Sequence, residues 1–285
     1  MIRALLALAG ALWLTSCGEP ERDWPEPSPA LWEVSGRNGE KAWLFGTVHA
    51  LPDGVEWRTE TFERRWDEAD LLVVEIGNLG ASGEAAKAFK RLGTTQGLPA
   101  LSARVGAADR PALQAMMQQA GMDDADFWDT ETWAAALILA DAARESEPGN
   151  GVDRALLGEG KPVQALESFV MQFARFDGLD EAEQRGLLAS IAREAQGDGQ
   201  EELVEAWLTG NLAALQAEMD GSFLASPVLR RELLVERNEL FGGRIVELME
   251  RRYRPFVAVG AAHMLGAEGL PALLAARDYT VRRIQ

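Results

Sequence analysis

At 285 residues with 47% apolar content, the chain can bury one large core or two small ones. Its 28 Lys+Arg against 45 Asp+Glu leave a net charge of −17, which excludes a charge-driven grip on nucleic acid or on an anionic bilayer. A single cysteine excludes both an internal disulfide and a thiolate metal cluster.

Met1-Ile2-Arg3 is a short positive start, and Ala4 to Leu14 is an apolar run of signal-peptide length, too short to span a bilayer. Leu14-Thr15-Ser16-Cys17-Gly18 then places small residues ahead of the sole cysteine and resembles a bacterial lipobox. Residues 1–16 are expected to be a cleaved lipoprotein signal peptide, with Cys17 lipidated. That would leave the protein exported and anchored on the periplasmic side of a membrane, the outer membrane in the absence of an evident retention signal. Residues 17–30 carry four prolines and read as an extended tether. The folded domain is expected over 31–285.

Leu31-Trp32-Glu33-Val34 alternates as a strand does, Arg37-Asn38-Gly39-Glu40 carries the Asn-Gly hairpin signal, and Lys41 to Phe45 is the return strand. That strand leads into Gly46-Thr47-Val48-His49, a turn at Pro52-Asp53-Gly54, a helix over Thr59 to Asp70 and a strand from Leu71 ending in Glu75-Ile76. From Ser82 the pattern turns helical, with helices expected to about Leu92, from Asp109 through Gln119, and over the apolar Trp133 to Ala143. Gly149-Asn150-Gly151 breaks the last of these. Val152 to Leu157 reads as a short helix, and Lys161 to Leu166 as a strand ending in Glu167. Helices follow at 168–176, 180–196, 199–209 and 211–219. A further helix starts at Ser226-Pro227, and Gly242-Gly243 is expected to interrupt it before a last helix to Arg252.

Phe256-Val257-Ala258-Val259 then repeats the first pattern: an apolar strand, Gly260-Ala261-Ala262-His263, a helix over Ala267 to Arg277 and a strand from Tyr279 to Ile284. The fold class expected is α/β: a mixed sheet built from both ends of the chain, with two strand–GxxH–helix–strand units and a large helical insertion.

The chain has only two histidines, and they close these two units. A lone His beside a core strand is ordinarily a packed structural residue; two in matching contexts point to a shared site at the carboxyl edge of the sheet. Glu75 is the natural third ligand, because it ends an apolar strand where a charge must be paired or ligated. The competing role is a helix cap or an Arg partner. His49, His263 and Glu75 would suit Zn²⁺, Mn²⁺, Fe²⁺ or Co²⁺ with a position open to water. Arg237 is the candidate for holding an oxyanion, against an ordinary surface role. Asp153 and Glu167 could each serve as general base, as partner behind the site, or merely as cap.

These phrases, in order, resemble the TraB/GumN (TIKI-like) family: Leu31-Trp32-Glu33-Val34, Trp43 to His49, Val73-Val74-Glu75, Gly151-Val152-Asp153, Leu166-Glu167-Ser168 with Gln172, Glu236-Arg237-Asn238 and Val259 to His263, followed by Tyr279-Thr280-Val281. Asp278 stands where a Gly often precedes the Tyr, and Ser168 where Thr is common. The resemblance implies an α/β fold with a divalent metal (Mn²⁺, Co²⁺ or Zn²⁺) at His49, Glu75 and His263, and Arg237 beside it. It also implies kinship with animal metal-dependent proteases that trim a secreted signalling protein, within a superfamily that includes erythromycin esterase-like enzymes and a haem-binding lipoprotein. The expected function is a metal-dependent hydrolase, a peptidase, with a peptide or small-molecule substrate, a membrane contact through Cys17 and no nucleic-acid partner. The alternatives are a non-catalytic protein that holds haem or another ligand with the same histidines, and a scaffold in which both pack in the core.

Overall fold

Among the described residues, 22–77, 82–143, 151–197 and 199–285, six strands form one mixed sheet in the computed structural model. They are β1 (Leu31–Ser35), β2 (Lys41–Thr47), β3 (Leu71–Val74), β4 (Val163–Ala165), β5 (Pro255–Gly260) and β6 (Thr280–Arg283), in the order β4-β3-β5-β2-β1-β6. β1 and β2 pair as the expected hairpin, and β6 closes antiparallel on β1. The remaining neighbours are parallel, with Thr47 opposite Gly260, and Val74 opposite both Ala258 and Ala165. The sheet is thus built from both ends of the chain, and the α/β expectation holds.

The three inner parallel strands read as near-continuous apolar runs because both of their faces are covered. On one face, Phe62 and Trp66 of the helix Glu60–Glu68 pack on Phe45 of β2 and Phe256 of β5. The Phe62 ring centroid lies 5.0 Å from that of Phe45 and 5.1 Å from that of Phe256, both edge-on. On the other face, Leu44, Val73 and Val257 meet Phe241, Ile245 and Met249 of the helix Glu236–Glu250, and Leu270 and Leu274 of the helix Leu270–Ala275. The two GxxH units therefore send their helices to opposite faces, while β2 and β5 stay side by side. The edge strands β4 and β6 are short and largely exposed, and Arg282 and Arg283 keep the β6 edge polar.

The helical region is made of two stretches that flank β4. The apolar helix Thr132–Ala142 is buried almost all round, as its composition requires, and packs against Glu181–Glu194. One expectation is corrected: Gly242-Gly243 does not interrupt a helix, since Glu236–Glu250 runs through it. Gly242 is buried, and a Cβ there would meet Nη1 of Arg277 at 3.1 Å, so packing against a neighbouring side chain accounts for the small residue. The irregularity falls earlier, in a π turn over Arg231–Val235.

The expected signal peptide (1–16), Cys17 and the start of the tether lie outside the described residues, as do Gly149 and Asn150. From Arg22 to Ala30 the chain forms no helix or strand and is seated on the domain. Arg22 pairs with Glu201 and Glu205, Trp24 packs against the core, and Ser28 N–H donates to the Leu208 carbonyl at 2.7 Å. Among the described residues no helix is long and apolar enough to cross a membrane.

Candidate functional site

β2, β3, β4 and β5 run the same way, so their carboxyl ends share one edge of the sheet. Each brings a polar group there: Thr47 ends β2 with His49 two residues on, Gly260 ends β5 with His263 three residues on, Glu75 follows β3, and Glu167 lies two residues past β4. Ligands of open α/β sheets bind at this edge, where loops leave the strands and backbone groups are free of the ladder. The two motif glycines keep the strand ends close: a Cβ on Gly46 would stand 3.0 Å from Cα of Ala261, and one on Gly260 3.2 Å from Oε1 of Glu75.

His263 sits in a 3-10 turn, Ala261–Met264, and is buried. Its Nδ1 lies 2.5 Å from Oδ1 of Asn238, a wholly buried residue whose Nδ2 donates to the Glu268 carbonyl at 2.8 Å. The donor end of that amide is fixed on a carbonyl, so its oxygen must accept from the ring and Nδ1 carries the hydrogen. Nε2 keeps its lone pair, 3.6 Å from Oε1 of Glu75. Burial lowers the His263 pKa to about 4 against the pull of Glu75, with Arg237 and His49 adding to the fall, so the ring is neutral at neutral pH.

His49 is the exposed counterpart. Its Nδ1 is 2.8 Å from Oδ2 of Asp153, whose other oxygen accepts from the Thr47 hydroxyl at 2.6 Å. A carboxylate can only accept, so Nδ1 carries the hydrogen of this contact, and the tautomer it selects has its lone pair on Nε2. Asp153 reaches His49 because the helix Val152–Leu157 begins alongside it, with Val152 N–H on the Val48 carbonyl at 3.0 Å.

Glu75 accepts the Gly260 N–H on Oε1 at 2.7 Å and the Arg237 guanidinium on Oε2. Burial disfavours its charge, but His263, Arg237, the Gly260 N–H and His49 together outweigh burial and hold its pKa down to about 2. Arg237 also grips Glu167 through Nη2 and Nε, and donates from Nη1 to the Leu233 carbonyl at 3.1 Å. Burial works against the Arg237 charge, but Glu75 and Glu167 raise its pKa. Burial pushes the Glu167 carboxyl up, against the pull of Arg237.

His49, Glu75, Arg237 and His263 line one cavity of about 490 Å³. Asp153 and Glu167 stand behind it: the first holds His49, the second holds Arg237 and has no exposed side-chain surface. Arg237 is buried and doubly paired, so it is not an ordinary surface residue.

The donor set suits a divalent cation in kind: two imidazoles with Nδ1 occupied and a lone pair on Nε2, beside an ionised carboxylate with lone pairs to spare. Among the described residues no three His, Cys, Asp or Glu side chains converge at ligand distance. Sequence reasoning missed Asn238, which orients the His263 ring, and Thr47, which orients the Asp153 carboxylate behind His49. An Asn in mid-helix beside the candidate Arg was the available signal, since Asn is a weak helix former. Nothing local marked Trp207, whose indole N–H donates to the Gly46 carbonyl at 2.7 Å across a long sequence separation.

No curated protein and no solved structure matches the chain significantly. A family model described as TraB/PrgY/gumN matches residues 30–283, nearly the whole described chain from β1 to β6, and the chain belongs to that family.

Proposed function

We propose that the protein is a metal-dependent hydrolase acting on a peptide, with His49, His263 and Glu75 as the residues that would hold the ion. The observation that carries this reading is the facing pair at 3.6 Å, Nε2 of His263 and Oε1 of Glu75. One is a neutral ring nitrogen with its lone pair inward; the other is an ionised carboxylate. Two acceptors in such proximity repel unless a cation lies between them. When bound, a divalent ion of the Mn²⁺, Co²⁺ or Zn²⁺ kind supplies a Lewis acid for a carbonyl and an acidified water.

The chain's own residues do the rest. Asp153 and Asn238 hold the two rings in the tautomer that presents Nε2. Arg237 and the Gly260 N–H keep Glu75 ionised and fixed in orientation. Arg237 Nη1 has a hydrogen beyond the one bonded to Leu233, and that N–H is the group to meet negative charge developing on a carbonyl oxygen. Export and lipidation at Cys17 belong to the same proposal and would put this activity on the periplasmic side of a membrane.

The test is the metal content of the purified protein, by mass spectrometry of the elements, beside cleavage of a broad peptide library by wild type and His49→Ala. Wild type should carry or take up one divalent ion and cleave; His49→Ala should lose both properties. A wild type that binds no divalent ion refutes the reading. Haem or another ligand bound without turnover would favour the binding-protein alternative.

A further inference from the structure

The cavity has two walls of different chemistry. The sheet edge supplies His49, Glu75 and His263, and Arg237 reaches in beside them from the helix Glu236–Glu250. The opposite wall comes from four separate pieces of the helical region: Phe176 of Phe169–Asp177, Val204 of Gln200–Leu208, Phe223 and Leu224 of Phe223–Ala225, and Leu233 and Leu234 of the π turn. Val204, Leu224, Leu233 and Leu234 are nearly inaccessible to solvent, so this wall is a cut face of the core. The π turn matters here. Leu233 and Leu234, both within it, line the cavity, and Arg237 in the following turn meets Glu75.

The helical wall offers little to a charged group. Its polar side chain is Gln172, whose amide N–H is directed to Glu167 at 3.4 Å. Among the described residues lining the cavity the one Lys or Arg is Arg237, and it already faces two carboxylates. A carboxylate or phosphate carried into this wall would lose its water without gaining a counter-charge. A large apolar side chain would gain buried contact on several sides, and the volume lies in the range of ordinary ligand pockets.

Resting on the hydrolase reading above, we propose that this wall is a specificity pocket for a bulky uncharged apolar side chain flanking the bond to be cleaved, and that it rejects an acidic one. The residues that set the preference are Val204, Leu224, Leu233 and Leu234, with Phe176 and Phe223 at the less buried side. A substrate that needs its terminal carboxylate held, as in removal of single C-terminal residues, finds no cation in this wall; an internal bond beside a Leu or Phe suits it.

The probes are blocked pentapeptides, acetyl-Gly-Gly-X-Gly-Gly-amide with X as Phe, Leu, Ala or Glu. Binding is read by calorimetry, with and without added Mn²⁺, and cleavage is followed separately. X as Phe or Leu should bind at least about tenfold more tightly than X as Glu. Leu203 lines the cavity at its exposed rim, so Leu203→Arg adds a cation there without disturbing the core. That variant should narrow the Phe-to-Glu ratio about tenfold, chiefly by strengthening the Glu peptide. Equal binding of Phe and Glu peptides, binding of neither, or a preference that Leu203→Arg leaves unchanged overturns the pocket. Because binding and cleavage are read apart, the two readings fail apart. Apolar preference without any cleavage keeps the pocket and sinks the hydrolase; cleavage without preference does the reverse.

Discussion

Gly151 is packed so tightly against His49 that a Cβ on it would stand 2.2 Å from the His49 carbonyl oxygen and 2.9 Å from the carbonyl carbon. The obstacle is backbone, which no rotamer change can move aside. This approach lets Asp153, two residues on, reach the ring of His49. Gly151→Ala should therefore force the two segments apart, at a cost of about 1–3 kcal/mol, and weaken metal binding through His49. Gly186 in the helix Glu181–Glu194 is the contrast, with nothing within 4 Å of its Cβ position. Gly186→Ala should stabilise by about 1 kcal/mol through helix propensity. Urea unfolding of the two variants reads both signs. A Gly151→Ala protein as stable as wild type would mean that the two backbones are not in contact in solution.

Asn238 deals with two buried groups at once, the ring N–H of His263 and the carbonyl of Glu268. Asn238→Leu keeps the approximate shape and leaves both without their partner. The expected cost is about 1–3 kcal/mol for each group left unsatisfied. Metal affinity should fall by about 10–100-fold, because the ring loses the bond that fixes its tautomer and direction. Asp153→Asn should weaken affinity less than Asp153→Ala, since an amide oxygen can still accept from Nδ1 of His49. Calorimetric Mn²⁺ titrations of the three variants test this, and unchanged affinity in Asn238→Leu would remove Asn238 from the site.

Much of this arrangement was legible in the chain because it is local. An apolar run, a Gly and a His three positions on is a strand, its end and its exit, and both copies form as their patterns indicate. Glu75 was visible as a charge at the end of a strand that is buried on both faces. What was not legible depends on distant pieces meeting. No local pattern says that β5 inserts between β3 and β2, so that two histidines far apart in sequence end on adjacent strands. The role of Arg237 was open between surface and site because helix periodicity does not identify the face that meets Glu75 and Glu167. The Gly242-Gly243 break failed for the same reason: propensity marks a weak point, while packing against Arg277 and the sheet carries the helix through it. Nothing in the prolines of 22–30 announced the carboxylates of Glu201 and Glu205 that hold Arg22 down.

Asp278 is held at φ +66, in the left-handed region that glycine enters without cost. It closes the turn between the helix Leu270–Ala275 and β6. Its side chain is exposed, and the 3.9 Å approach to Arg37 is a solvent-screened pair worth little. Asp278→Gly should thus stabilise by about 0.5–1 kcal/mol, seen as a higher urea midpoint with unchanged slope. A lower midpoint would mean that the Asp side chain supports the turn by more than the strain it brings.

Acid should destabilise the metal-free protein in two stages. His263 has a folded pKa of about 4 against its ordinary 6.5, because burial disfavours the charged ring. Glu75 has a folded pKa of about 2 against 4.5, where burial opposes the charge but His263, Arg237 and the Gly260 N–H outweigh it. For both groups the unfolded chain binds the proton more readily than the folded one, so stability rises with pH. The His263 contribution is complete above 6.5 and is lost as pH falls toward 4; that of Glu75 is complete above 4.5 and is lost toward 2. Between about pH 7.5 and about pH 5 the His263 share should come to about 2 kcal/mol. Urea unfolding of wild type and His263→Gln at those two values, with a chelator present, isolates it, because other titrating groups are common to both. Wild type should lose about that much more than the variant. Equal losses would mean that the buried ring takes up a proton in the folded protein as easily as in the unfolded one. It would then not present a neutral Nε2 to Glu75, and the repulsive pair that calls for a cation would be an attractive one already.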